Sequence, residues 1–79
     1  MIDGEKVRER ISTFLHLSPG RAVDGAALTD LVTESFVLVQ LVIDLQEDFG
    51  IRLDGEDLRD VRTVGDLIAI VVSRGSPQS

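Results

Sequence analysis

The chain has no cysteine, which excludes disulfides and thiolate metal sites outright. It has a single histidine, His16, so a multi-histidine metal centre is excluded as well. No apolar run approaches the roughly 20 residues that a membrane-spanning helix needs. The opening Met1-Ile2-Asp3-Gly4-Glu5 lacks the basic-then-apolar pattern of a signal peptide, and a cytoplasmic protein is the expectation. Basic residues are scarce: eight Lys and Arg stand against fourteen Asp and Glu, for a net charge of −6. That balance opposes nucleic acid and anionic membranes as partners, because both are bound through a basic footprint. It suits recognition by basic patches on other proteins. Nor does the sequence offer a nucleophile–base pair, a metal-ligand set or a phosphate-binding loop. No catalytic residue is assigned, and the chain does not read as an enzyme. Asp54-Gly55-Glu56-Asp57 carries acids but lacks the ligand spacing and terminal Glu of a calcium loop; capping of a short helix explains it better.

What is present suits one small globular domain. At 79 residues, with 43% hydrophobic and 28% charged, the composition is ordinary for a folded protein. A domain of this size hides only about 60–65% of the surface its unfolded chain exposes, so modest stability is expected. The periodicity predicts an all-α bundle of three longer helices plus one short helix, with a long loop between the first two. Residues 1–75 form the domain and 76–79 a frayed tail. Val7, Ile11, Phe14 and Leu15 fall at i, i+4, i+7 and i+8, which predicts an amphipathic helix from Asp3, its N-cap, to about Leu17. His16 lies on the polar side of that helix with Glu9, Ser12 and Thr13, and reads as a solvated surface residue. Ser18-Pro19-Gly20 stops the helix. A segment with little periodicity then runs to Thr33. Loops this long are uncommon in compact domains and often carry function; a crossover that merely sets helix directions explains it equally well. The second long helix runs from about Glu34 to Phe49 and ends at Gly50, a favoured residue just past a helix. Asp54 to Asp60 forms the short element. Thr63 with Asp66 three residues on is a capping-box variant. It opens a last helix to about Arg74 with Val64, Leu67, Ile68 and Val71 on one face.

The middle helix has two apolar faces. Leu38, Leu41, Val42, Leu45 and Phe49 form one stripe, the core face. At roughly 100° per residue, Phe36, Val39 and Ile43 point well away from it, close to Gln40 and Glu47. A small bundle has one core, so an apolar strip rimmed by polar groups reads as a partner-docking surface; coverage of both faces by other helices is the alternative. Asp44, Glu47 and Asp48 repel one another at i, i+3 and i+4 near a helix C-terminus that disfavours negative charge. Pairing with basic groups on a partner accounts for them, and so does simple solvation. Ser35 stands where the long loop enters this helix; taken alone it reads as a cap.

The surrounding residues change that reading. Asp30-Leu31-Val32-Thr33-Glu34-Ser35-Phe36 resembles the Asp-Leu-Gly-x-Asp-Ser-Leu attachment motif of acyl carrier proteins. The likeness extends through Leu38, Leu41, Val42 and Leu45 to Glu47-Asp48-Phe49-Gly50-Ile51, and resumes at Val61-Arg62-Thr63-Val64-Gly65-Asp66-Leu67. It covers the whole domain in the family's order of elements. The resemblance implies a monomeric, non-enzymatic carrier with 4'-phosphopantetheine attached covalently to Ser35 by a phosphopantetheinyl transferase. The terminal thiol of that arm holds acyl groups as thioesters, which is how a chain without cysteine takes part in thiol chemistry. The implied partners are an acyl-loading enzyme and acyl transferase or ketosynthase-type enzymes with basic docking patches. They meet Glu34, Phe36, Val39, Gln40, Ile43, Asp44, Glu47 and Asp48.

This sequence departs from the family pattern at several positions. Glu34 replaces the usual Asp and Phe36 the usual Leu, both keeping the chemical character. Val32 replaces a common Gly, which stiffens the loop before Ser35. Gln40 and Gln46 stand where members that dock on basic enzymes often carry glutamates, whereas Glu47 is retained. A smaller, dedicated partner set is therefore expected, as in a specialised polyketide-like or fatty-acid-like biosynthetic pathway, antibiotic biosynthesis among them. The nearest alternative is a peptidyl or aryl carrier, whose Gly-Gly-x-Ser-Leu is not matched by Thr33-Glu34-Ser35-Phe36. An unmodified helical interaction module is the alternative from another class.

Overall fold

Short side chains at the helix starts set the architecture. In the computed structural model, which describes residues 2–18 and 20–75, Asp3 accepts the Glu5 N–H at 3.0 Å and opens α1 (Gly4–Leu15). Asp54 and Asp57 cap each other's backbone N–H groups at the start of α4 (Gly55–Leu58). Thr63 and Asp66 do the same for α5 (Val64–Gly75), with Thr63 Oγ1 accepting the Asp66 N–H at 3.1 Å and Asp66 Oδ2 accepting that of Thr63 at 3.2 Å. These reciprocal pairs satisfy donors that a helix start leaves without intrahelical partners. The longest helix, α3 (Ser35–Phe49), has no side-chain cap. Pro19 and the tail expected at 76–79 lie outside the described residues.

The predicted apolar stripes meet in one core. Val7 and Ile11 of α1, Leu41 and Leu45 of α3, and Val64, Leu67 and Val71 of α5 are fully buried, each contributing roughly 1.5–3 kcal/mol by leaving water. α1 packs against both α5 and α3. Among the described residues the fold is entirely helical, with a single isolated bridge, Ala27 to Thr63.

Two features differ from the sequence reading. Helix α1 stops at Leu15, not Leu17, because His16 adopts the left-handed conformation at φ 56°. The His16 N–H is then shared between the carbonyls of Ser12 and Thr13, and the Leu17 N–H reaches Ser12 O at 2.9 Å, while Leu17 turns back onto the core. Gly50 closes α3 in the same left-handed geometry. The second difference is α2 (Leu28–Leu31), a single turn within the segment expected to be loop.

That long connection is tied down along much of its length. Arg8 of α1 donates to Ala22 O at 2.6 Å and to Asp24 Oδ1 at 2.5 Å. The backbone then runs beside the start of α5: Gly65 N–H to Asp24 O at 3.0 Å, Val64 N–H to Ala26 O at 2.9 Å, and Leu28 N–H to Arg62 O at 2.9 Å. Gly65 permits this close approach, since a Cβ would sit 3.0 Å from both Asp24 Cβ and Asp24 O and the connection would have to yield. Val32, the residue in place of a common glycine, is extended and nearly buried (9% exposed), with its N–H on Leu28 O. The connection thus delivers the chain to α3 from a fixed point.

Candidate functional site

Ser35 is the first residue of α3 and is exposed. Glu34 precedes it in extended conformation (φ −115°, ψ 127°), with a carboxylate that caps nothing. Among the helices longer than one turn, α1 and α5 each have a first-turn N–H answered by a capping side chain, the Asp3 carboxylate and the Thr63 hydroxyl; α3 does not. A helix start of this kind favours an anion through its free N–H groups and its dipole. A phosphodiester on the Ser35 hydroxyl would lie at that start, so the residues fit a phosphopantetheine arm.

Down the outer side of α3, Phe36, Val39 and Ile43 are 58%, 56% and 47% exposed. They are three of the four large hydrophobic side chains that stand out among the described residues. Gln40 and Glu47 are exposed on the same stripe, which runs i, i+3, i+4, i+7, i+11 from Phe36. The structure therefore brings Phe36, Val39, Gln40, Ile43 and Glu47 together, with Glu34 and Ser35 at the upper end.

Asp44 and Asp48 lie elsewhere. Asp44 is half-buried against α1, where Arg10 donates Nε to Oδ2 at 2.6 Å and Nη2 to Oδ1 at 2.7 Å. The Arg10 hydrogen bond holds the Asp44 carboxyl below the usual carboxylate range, against the opposing effect of burial. Asp48 stands 3.9 Å from the same guanidinium. Arg10 thus offsets the crowding of acids at the end of α3, from within the chain. Of the three acids read as a cluster, Glu47 alone is on the apolar strip.

Beside Ser35 opens a cavity of about 400 Å³ that the sequence reading did not foresee. Ser35 is among its lining residues, with Leu38 and Val42 of α3, and Leu53 and Leu58 from the side of α4. Gln46 also reaches it, and its Oε1 accepts the Leu53 N–H at 2.7 Å. Gln46 therefore faces inward, across the gap between α3 and the segment leading to α4. The signal for it was present in the spacing: Ser35, Val39, Val42 and Gln46 follow i, i+4, i+7, i+11, a second stripe between the core face and the outer strip. No group of three or more metal-ligating side chains comes together among the described residues, and none of their helices is long and apolar enough to cross a membrane.

Comparison with known proteins agrees with this geometry. The chain matches the family described as phosphopantetheine attachment site over residues 5–71, which spans α1 through most of α5. It is 36% identical over 67 residues to an acyl carrier protein of Thermotoga maritima, covering 84% of this chain and 83% of the relative. An acyl carrier protein of Tropheryma whipplei is 30% identical over 74 residues, 87% of this chain and 90% of the relative. One from Rhodopseudomonas palustris is 34% identical over 64 residues, 80% and 81% of the two chains. The chain belongs to the acyl carrier proteins, a family of carriers rather than enzymes whose members bear 4'-phosphopantetheine.

Proposed function

We propose that Ser35 is the point of phosphopantetheine attachment, and that the protein carries acyl intermediates in a specialised polyketide-like or fatty-acid-like pathway of the cytoplasm. One observation carries the assignment: Ser35 is an exposed hydroxyl at the uncapped start of α3, on the rim of an apolar cavity. When bound, the arm supplies the thiol that the chain itself lacks. Ser35 provides the ester oxygen, and the first turn of α3 holds the phosphodiester charge. The cavity offers apolar cover to a chain folded back along α3.

Phe36, Val39 and Ile43 form the apolar centre of the docking surface, with Glu34 and Glu47 as its free acids and Gln40 as a neutral polar contact. Asp44 and Asp48 support that surface from behind through Arg10. With Gln40 uncharged and Gln46 turned inward, the strip offers few charges to a strongly basic enzyme. This supports a dedicated set of loading, acyl transferase or ketosynthase-type partners and a monomeric carrier. Binding to primary fatty-acid enzymes as tight as that of their own carrier would end the dedicated-partner reading.

The attachment is tested by intact-protein mass spectrometry after incubation with coenzyme A and a broad-specificity phosphopantetheinyl transferase. Wild-type protein gains the mass of one arm, and Ser35→Ala gains none while keeping its helical circular dichroism. A wild-type mass that stays unmodified with several competent transferases overturns the assignment and leaves an unmodified interaction module. Candidate loading enzymes added singly then identify the cargo from the further mass each leaves.

A further inference from the structure

Gln46 is the one amide-bearing side chain in the wall of the cavity. The Leu53 backbone N–H, 2.7 Å away, is a donor, so the group of Gln46 that faces it must be the oxygen. The hydrogen-bond network thus sets which way the amide points. The nitrogen is left with two hydrogens, and no residue among those described accepts either one. Gln46 also borders an outer groove beside Ile43 and Arg52, so its amide stands at the meeting of the cavity with solvent. The rest of the cavity wall is dominated by Leu and Val. A donor placed among such groups gains from an acceptor brought to it and gains nothing from a hydrocarbon.

Its position along α3 gives the donor a use. Ser35, Val39, Val42 and Gln46 follow one line of the helix, and eleven residues separate its ends, roughly 16 Å at the helical rise. An acyl chain folded back from the end of the arm into the cavity lies against the two valines and comes within reach of the amide. We infer that Gln46 is a specificity-determining residue for cargo, favouring acyl chains that bear a carbonyl or hydroxyl oxygen over saturated ones. This deepens the carrier reading and rests on Ser35 being the root of the arm. A glutamate here would still accept the Leu53 N–H, but it would have no hydrogen to give and would place a charge beside the chain.

The test loads the whole protein at Ser35 with pantetheine bearing either an octanoyl or a β-oxo-octanoyl chain, each joined through an amide that resists hydrolysis. The methyl resonances of Val39 and Val42 report what fraction of each chain occupies the cavity. The Gln46 side-chain amide protons report the contact itself. In the wild type, the in-to-out ratio of the oxo chain should exceed that of the saturated chain by about fivefold, the factor one net neutral hydrogen bond supplies. The Gln46 amide protons should shift with the oxo chain alone. In Gln46→Glu that preference should vanish while the Leu53 amide resonance stays near its place, separating the cargo contact from the loop contact. Gln46→Leu should lose the preference as well.

Equal ratios for the two chains in the wild type overturn the inference, as does a preference that survives Gln46→Glu. Amide protons that move on attachment of the bare arm, and no further with cargo, assign the contact to the arm's own amide carbonyls and overturn it too. A protein that accepts no arm at Ser35 overturns the carrier reading itself. That result shows at the loading step, before any cargo is compared.

Discussion

Arg10 on α1 grips Asp44 on α3 at two points, across a contact that joins residues 34 apart in the chain. Paired hydrogen bonds of this kind fix orientation as well as charge. With 37% of the Arg10 side chain and 21% of that of Asp44 exposed, the coupling is that of a surface pair. Arg10→Ala and Asp44→Asn, singly and together, should return a small favourable coupling by urea denaturation, as exposed pairs do.

The same pair sets an acid limit. Asp44 is held low chiefly by the Arg10 hydrogen bond, Asp57 by the Asp54 N–H, and Asp66 by the N–H groups of Arg62 and Thr63. Each carboxyl takes up a proton less readily folded than unfolded. Below the usual carboxylate range the unfolded chain therefore binds more protons, and stability falls with pH. Stability from these three groups should be fully present above about pH 5 and decline as pH drops through 4 and below. Asp44→Asn should make the acid limb of a melting-temperature profile shallower. An unchanged limb would remove Asp44 from this account.

Leu41 and Val39 sit two residues apart on α3 and should behave oppositely. Leu41 is fully buried and Val39 is 56% exposed. Leu41→Ala should cost about 2–5 kcal/mol, and Val39→Ala should stay within about 0.5 kcal/mol while slowing transfer from a cognate loading enzyme. Equal destabilisation by the two would mean that α3 is covered on both sides.

Gly65→Ala reverses the ordinary rule for helices. Alanine normally gains about 1 kcal/mol over glycine in a helix interior. At this position the new Cβ meets Asp24 at 3.0 Å, and the connection beside α5 must give way. A loss of about 1–3 kcal/mol is expected, with amide shifts concentrated at residues 24–27.

His16→Gly should run the other way. A non-glycine residue in left-handed geometry costs about 1–2 kcal/mol, and His16 adopts φ 56° with its side chain exposed. The substitution should raise the melting temperature by several degrees, as about 1 kcal/mol does in a domain of this size.

These residues also mark where sequence reasoning succeeds. Asp3, Gly50, Asp54 and the Thr63–Asp66 pair were legible because a cap acts within four residues of itself. The buried face of α5 was legible because Val64, Leu67, Ile68 and Val71 repeat at the helical period and all are buried. The exposure of Phe36, Val39 and Ile43 followed from having one core and two apolar faces. What escaped depends on distant parts of the chain. α2 is a single turn whose first N–H is answered by Arg62, 34 residues on. The partner of Asp44 lies on another helix. Helix α1 ends at His16, whose left-handed turn accompanies the return of Leu17 to the core; histidine tolerates that geometry better than most residues, but too weakly to mark a helix end from sequence. Gln46 was visible as a departure from family pattern, and its spacing put it in line with Ser35, Val39 and Val42, but its hydrogen bond to Leu53 was not legible.

The anchoring of residues 22–32 leaves little slack ahead of Ser35. Val32 is seated and hydrogen-bonded, and only Thr33 and Glu34 lie between it and the helix. Tension applied at the serine by an enzyme drawing on its cargo has no loose tether to take up. It passes straight into α3, whose far end is joined to α1 through Arg10 and to the α4 side through Leu53. The bundle thus behaves as a stiff mast carrying a soft line, and the mobility needed for delivery belongs to the line.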